Sequence, residues 1–215
     1  DSVKVARVSS DGSPNSPLVN YALRGLHNCW LTGADRWSHI YHLDGRKSAN
    51  ESLPQSDTFY TLNVLLGLSR VAKIPDSIDV KTILETSASN LAVFPVQKYA
   101  FGTALWASAE LGMPLPNITI DQTRRLLADK NGWLTFKAQD LGMILAGVAS
   151  QTRTDSAQWA PFADELFNFL VERFHCSSGL FFNNVSHLRR RFTSFATHTY
   201  LTLACYVYGE VCGRQ

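Results

Sequence analysis

Two carboxylates and a histidine stand where this sequence could most readily do chemistry. Asp57 and Asp140 each fall near the start of an otherwise apolar segment. A pair of carboxyl groups, one protonated and one ionised, is what cleavage of a glycosidic bond requires. His198, flanked by Thr197 and Thr199 and followed by Tyr200, could act with that tyrosine as base and acid in proton abstraction beside a carboxylate, the lyase or epimerase option. Arg189, Arg190 and Arg191 come just before it and suit bidentate clamping of a uronate, phosphate or sulfate. Tyr60, Asn63 and Gln139 would add hydrogen-bonding groups, and Trp106 a face on which a sugar ring stacks. Each residue also has a plainer use. The two aspartates suit first-turn acids that complement orphan N–H groups and the helix dipole, His198 a satisfied core histidine, the arginines a solvated turn and Trp106 core volume.

Other chemistries lack their signatures. His39-x-x-His42 with Asp44, and His27 with Cys29, have ligand types at usable spacing but no second cluster, so no metal is expected. No Walker A, G-x-G-x-x-G, H-E-x-x-H or G-x-S-x-G motif occurs, which leaves nucleotide cofactors, zincin and hydrolase-elbow readings unsupported. No cofactor is expected.

The elements that must position these residues read as helices. Apolar spacings of three and four recur along the chain while period-two alternation is never sustained. Helices are predicted at 17–31, 57–72, 77–93, 98–112, 120–129, 136–151, 157–174 and 194–209. Their starts carry Ser16-Pro17, Ser56-Asp57, Asp76, Thr119 to Asp121, Thr135 and Thr193-Ser194; Gly112, Gly209 and Gly213 punctuate the ends, as capping chemistry requires.

Two kinds of helix alternate. The seventh has a stripe of Trp159, Phe162, Leu166, Phe169, Leu170 and Phe174 opposite a charged side. The second, fourth, sixth and eighth are apolar or small almost all round, as in FGTALWASA and FATHTYLTLACYVY. A helix without a wet face must sit in an inner layer. Aligned on Thr61, Thr103, Asp140 and His198, these inner helices carry Gly67, Ala109, Ala146 and Ala204 at one equivalent place, which predicts close helix approach there. The long segment before the last helix is of the kind that is functional or mobile.

Composition bounds the rest. With 215 residues, 45% hydrophobic and 18% charged, the chain can bury one sizeable core and is not of a disordered class. A formal charge of +2 is far from what a nucleic-acid surface needs, so no nucleic acid is expected as partner. No apolar run approaches the ~20 residues of a membrane span. The expected location is cytoplasmic, with a processed secreted form as the alternative, because residues 1–16 form a polar arm without an apolar leader. Four cysteines without C-x-x-C spacing read as reduced, mostly buried thiols.

Amphipathic outer helices alternating with apolar inner ones, as successive hairpins of about 40 residues, resemble the α/α toroid superfamily. The stretch GLFFNNVSHLRRRFTSFATHTYLTLACYVYG resembles the Gly-Leu-Phe turn and inner helix of six-hairpin, glycosidase-like toroids. The resemblance implies an all-α fold of four consecutive hairpins over residues 17–215. A closed ring would have six, so the ring is open, or the chain is a piece of a longer protein, or another subunit completes it. It further implies that the N-terminal ends of the inner helices open on one face, where Asp57, Tyr60, Thr61, Asn63, Thr103, Trp106, Gln139, Asp140, Thr197, His198 and Tyr200 would converge.

Two functions follow as expectations. One is a carbohydrate-processing enzyme, hydrolase or lyase, acting on an oligosaccharide or polysaccharide, with Asp140, His198, Asp57 and Tyr200 catalytic and Trp106, Arg189, Arg191, Gln139, Tyr60 and Asn63 binding substrate. The other is a non-catalytic helical-repeat module that binds a partner, forms a homo-oligomer or completes a larger ring.

Overall fold

Residues 15–45, 49–93, 98–185 and 193–213 are described by a computed structural model. Helix α1 (Pro17–Cys29) leads into two antiparallel ladders, β1 (Trp30–Leu31) with β2 (Arg36–Trp37) and β3 (Ile40–Tyr41) with β4 (Asn50–Glu51). The remaining elements are helical: α2 (Pro54–Leu68), α3 (Val80–Val93), α4 (Tyr99–Leu111), α5 (Asn117–Ala128), the one-turn α6 (Lys130–Trp133), α7 (Ala138–Gln151), α8 (Ser156–Phe174) and α9 (Phe195–Cys212). The fold is all-α.

Local chemistry sets the ends. Ser16 accepts from the Val19 N–H with Pro17 at the first helical position, Ser194 accepts from Thr197, and Gly112 and Gly213 close α4 and α9 at φ 65° and 66°. Helix α2 begins at Pro54 rather than at Asp57, because the Asp57 carboxylate reaches back and accepts the Leu53 N–H at 2.8 Å. The ladders depart from an expectation of helices alone. At two residues per strand they are too short to leave an alternating pattern in the sequence. They occupy the space between α1 and α2, so the first pair of helices forms no tight hairpin, and among the described residues α1 has no extensive contact with another helix.

Helices α2, α4, α7 and α9 lie side by side in that order, α3 covers α2 and α4, and α8 covers α7. The inner helices run parallel. Gly102 of α4 meets Met143 and Gly147 of α7, and further along Gln151 Nε2 donates to the Leu105 carbonyl at 2.7 Å. Residues 100–108 of α4 and 141–151 of α7 are buried without interruption, which explains why neither sequence has a polar face. Helix α9 is different: only Thr197, Leu201, Ala204, Val207 and Tyr208 are buried, while Phe195, Leu203 and Tyr206 are exposed. In the outer helix α8, Trp159, Leu166, Leu170 and Phe174 are buried, four of the six residues of the expected stripe.

Close approach occurs at other glycines than those aligned in the sequence. A methyl group at Gly147 would overlap the Gly102 carbonyl, and one at Gly102 would lie 2.5 Å from Ile144 Cα. Gly142 sits against Leu201 and the Tyr200 carbonyl of α9. Gly67 is exposed, with open space around it, since α2 turns that side to solvent. Backbone-to-backbone contact between α4 and α7 therefore depends on two absent side chains.

Gly147→Ala is expected to destabilise the protein by at least about 2–3 kcal/mol through overpacking against backbone. Gly67→Ala should be neutral or stabilising by at most about 1 kcal/mol. Thermal or urea unfolding of the two variants checks this; equal midpoints would contradict the packing.

Candidate functional site

Asp57 is fully buried, and a buried carboxylate must be surrounded by donors. It has them. Oδ1 accepts from the His39 N–H at 3.1 Å and lies 2.8 Å from His39 Nδ1. Oδ2 accepts from the Leu53 N–H at 2.8 Å and from the Ser52 hydroxyl at 3.2 Å. Arg36 Nε adds positive charge at 3.8 Å. One turn along α2, the Thr61 hydroxyl accepts from the Trp37 N–H at 3.0 Å. Two polar residues of α2 thus fasten the chain from Arg36 to His39 onto the helix.

The consequence for His39 is chemical. In the tautomer that donates Nδ1–H to Asp57, the second ring nitrogen, Nε2, is the acceptor, the arrangement by which a carboxylate orients an imidazole. The imidazole is stacked on Tyr60, ring centroids 4.9 Å apart and planes within 2°. Phe59 makes edge contacts with both Tyr60 and Tyr99, at 5.3 and 4.6 Å.

From Tyr60 a row continues across the inner helices. Burial, and then the Asp140 charge with the phenols of Tyr60 and Tyr200, push the Tyr99 hydroxyl up to about 12. Tyr60 of α2, Asp140 of α7 and Tyr200 of α9 are therefore each near enough to act on Tyr99 of α4. Asp140 stands three residues after Lys137, the residue that caps α7, and accepts from the Lys137 N–H, with a further hydrogen bond from Gln139. This is the acceptor half of a capping box. Burial nevertheless outweighs these bonds and the Lys137 charge, and holds the Asp140 carboxyl above the usual carboxylate range. A carboxyl shifted this way can donate a proton; a phenol shifted to about 12 stays neutral and can donate a hydrogen bond.

The site residues expected from sequence divide accordingly. Tyr60, Asp140 and Tyr200 each lie near Tyr99, and Gln139 hydrogen-bonds to Asp140. Asp57 lies behind His39 with no exposed surface, because all its oxygens are engaged. Asn63 donates to the Phe59 carbonyl at 2.9 Å and Thr103 to that of Tyr99 at 3.4 Å, each serving its own helix. Thr197 is buried and donates to Asn183 Oδ1 at 2.8 Å. His198 is half-buried one turn into α9.

Trp106 lies apart from this row. It lies ~10 Å along α4 from Tyr99, is buried, and donates its indole N–H to Glu110 at 3.2 Å. Glu110 in turn pairs with Arg70 and Arg153 at 2.8 and 2.9 Å, at the opposite end of the helix. Arg189, Arg190 and Arg191 lie outside the described residues. His39 and His42 have separate carboxylate partners, Asp57 and Glu51, each at 2.8 Å, and no group of three or more metal-ligating side chains occurs among the described residues. The four cysteines are half-buried, more open than expected.

Two members of the row went unrecognised in the sequence as site residues: His39, whose partner is 18 residues away, and Tyr99, the first residue of an apolar helix. Its position at a helix start was the available signal for Tyr99. No protein-family model, curated protein or solved structure matches the chain.

A raised carboxyl pKa means that the fold favours the neutral acid. Its contribution to stability is fully present below the ordinary carboxylate pKa and is lost as pH rises through the folded-state value. Asp140→Asn, which keeps an acceptor for the Lys137 N–H, is therefore expected to raise Tm at pH 7 and to lose that advantage below about pH 4. Each kcal/mol recovered corresponds to ~2–4 °C. A lower Tm than the parent at pH 7 would show that the charge, not the neutral acid, is what the fold stabilises.

Proposed function

We propose that this chain processes carbohydrate and that its chemistry is of the lyase type, on a uronate-containing oligosaccharide or polysaccharide. The observation that carries the reading is His39, oriented by buried Asp57 and stacked on Tyr60, at one end of a row of phenols that leads to Asp140, whose carboxyl burial holds above the usual carboxylate range. Such a row offers a base, a proton donor, neutral hydrogen-bond donors and aromatic faces for a polyhydroxylated ring. Hydrolysis fits less well, since it needs a second carboxyl across the bond and Asp57 is enclosed.

In the proposed reaction His39 Nε2 takes the proton on the carbon beside the uronate carboxylate. The electrons of that C–H bond form a carbon–carbon double bond as the neighbouring bond to the glycosidic oxygen breaks. Asp140 donates its proton to the departing oxygen, and Tyr99 hydrogen-bonds to the substrate as a neutral phenol. The parallel N-termini of α4, α7 and α9 place partial positive charge on the face where a uronate carboxylate would lie. Within the toroid reading, the row of inner helices corresponds to part of an open ring.

A second reading, a helical module that docks a partner or a second copy, is supported by Phe195, Leu203 and Tyr206, exposed along α9. Patches of this kind mark interaction surfaces.

Incubation with a panel of uronic and neutral polysaccharides, followed by ultraviolet absorbance of the unsaturated uronate end, is expected to give product on a uronic member only. His39→Ala should lower the rate by about 10²-fold or more, with Asp57→Asn intermediate as a positioning residue and the fold checked by thermal melting. Absence of product across the panel, or full activity in His39→Ala, overturns the enzymatic reading and leaves the docking module.

A further inference from the structure

A cavity of about 330 Å³ lies between α1, the β1–β2 ladder and α3, and its lining includes none of His39, Tyr60, Tyr99, Asp140 and Tyr200. Its volume falls within the ~300–1,000 Å³ of small-molecule sites. Leu26, Trp30, Trp37 and Ile83 are among its walls, and the two indoles meet edge to face with centroids 5.0 Å apart. Asp35 and Asp79 also line it, from different elements, and His27 is the only basic lining residue among the described residues.

The carboxylates are not equivalent. Asp79 accepts from the Thr82 N–H at 3.1 Å and from its hydroxyl at 2.7 Å, and these bonds hold its carboxyl below the usual range, so it keeps its charge. Asp35 has no hydrogen bond or ion pair from its side chain among the described residues. It is also the one non-glycine residue described with a left-handed backbone, at φ 47°, a conformation that aspartate and asparagine adopt more readily than other side chains. An exposed carboxylate without a protein partner among the described residues, at the edge of an apolar hollow with two indoles, is complementary to a ligand with an apolar body and a positive end.

We propose that this cavity binds a small hydrophobic ammonium compound, with its apolar body against Trp30 and Trp37 and its cationic nitrogen facing Asp35 and Asp79.

Isothermal titration of the whole chain with 2-phenylethylammonium, 2-phenylethanol and phenylacetate tests it, since the three probes share a ring and differ in charge. The cation is expected to bind one to one with a Kd of about 1 mM or below, the alcohol at least about tenfold more weakly, and the anion not at all. Asp35→Asn should reduce the cation to the affinity of the alcohol; asparagine tolerates the left-handed backbone, so the fold should persist, and thermal melting checks it. If that variant fails to fold, Asp79→Asn provides the same readout. Equal affinity for cation and alcohol, no loss in the folded aspartate variants, or no saturable heat with any probe overturns the proposal.

Discussion

The fold rests on two glycines that let α4 and α7 touch backbone to backbone. At Gly102 and Gly147 the helices stand so close that neither position has room for a methyl group. Parallel neighbouring helices align their dipoles unfavourably, so this pairing depends on the dispersion contacts that close approach makes possible. It has a second effect. With α4 and α7 locked in parallel register, Tyr99 and Asp140 come to the same end of the layer, and α9 joins that end where Gly142 meets Leu201. The composition of the site follows from the packing of the core below it.

A different constraint operates at the α2 edge. Asp57 carries a charge into a fully buried position, and its burial is tolerable only because two backbone N–H groups, a hydroxyl, an imidazole and a nearby guanidinium surround it. Those partners come from residues 36–39 and 52–53, so satisfying one side chain determines how the segment between α1 and α2 lies on the helix. The imidazole of His39 is positioned as a by-product of neutralising Asp57. A polar residue that reads as a catalytic candidate on an apolar helix thus acts on chemistry at one remove, through the group that it orients.

What could be read from the chain alone follows from the range of each signal. Helix existence was legible because amphipathic and apolar segments recur with a three-to-four spacing, and the caps at Ser16, Ser194, Gly112 and Gly213 are local. The two-residue ladders were not legible, because they depend on pairing across a loop. Small residues at equivalent places in the inner helices were a sound sign of close approach, yet the alignment chose Gly67, which faces solvent, over Gly102 and Gly147; composition does not say which side of a helix meets its neighbour. At the site, Tyr60, Asp140 and Tyr200 stood out as polar groups on apolar helices. Trp106 has the same helix and the same apolar surroundings, but it lies two turns too far along. His39 could be found only by knowing that Asp57 folds back onto its loop.

Asp140 brings these threads together, since it is both a cap and an acid. Near the start of α7 the N–H of Lys137 and the helix dipole favour its anion, and on an exposed helix they would lower its pKa. Burial against α4 and α9 works in the opposite direction and prevails. The dielectric surroundings created by the tight inner layer therefore decide its protonation more than the local capping bonds do. On the proposed reading this ordering also favours substrate: the raised pKa makes protonation of Asp140 easier as an incoming carboxylate approaches, while the N-terminal ends of three parallel helices attract that carboxylate. An ionised Asp140 would oppose the charge that those helix ends favour, so the same desolvation that makes the residue a proton donor also leaves the face receptive to an anion.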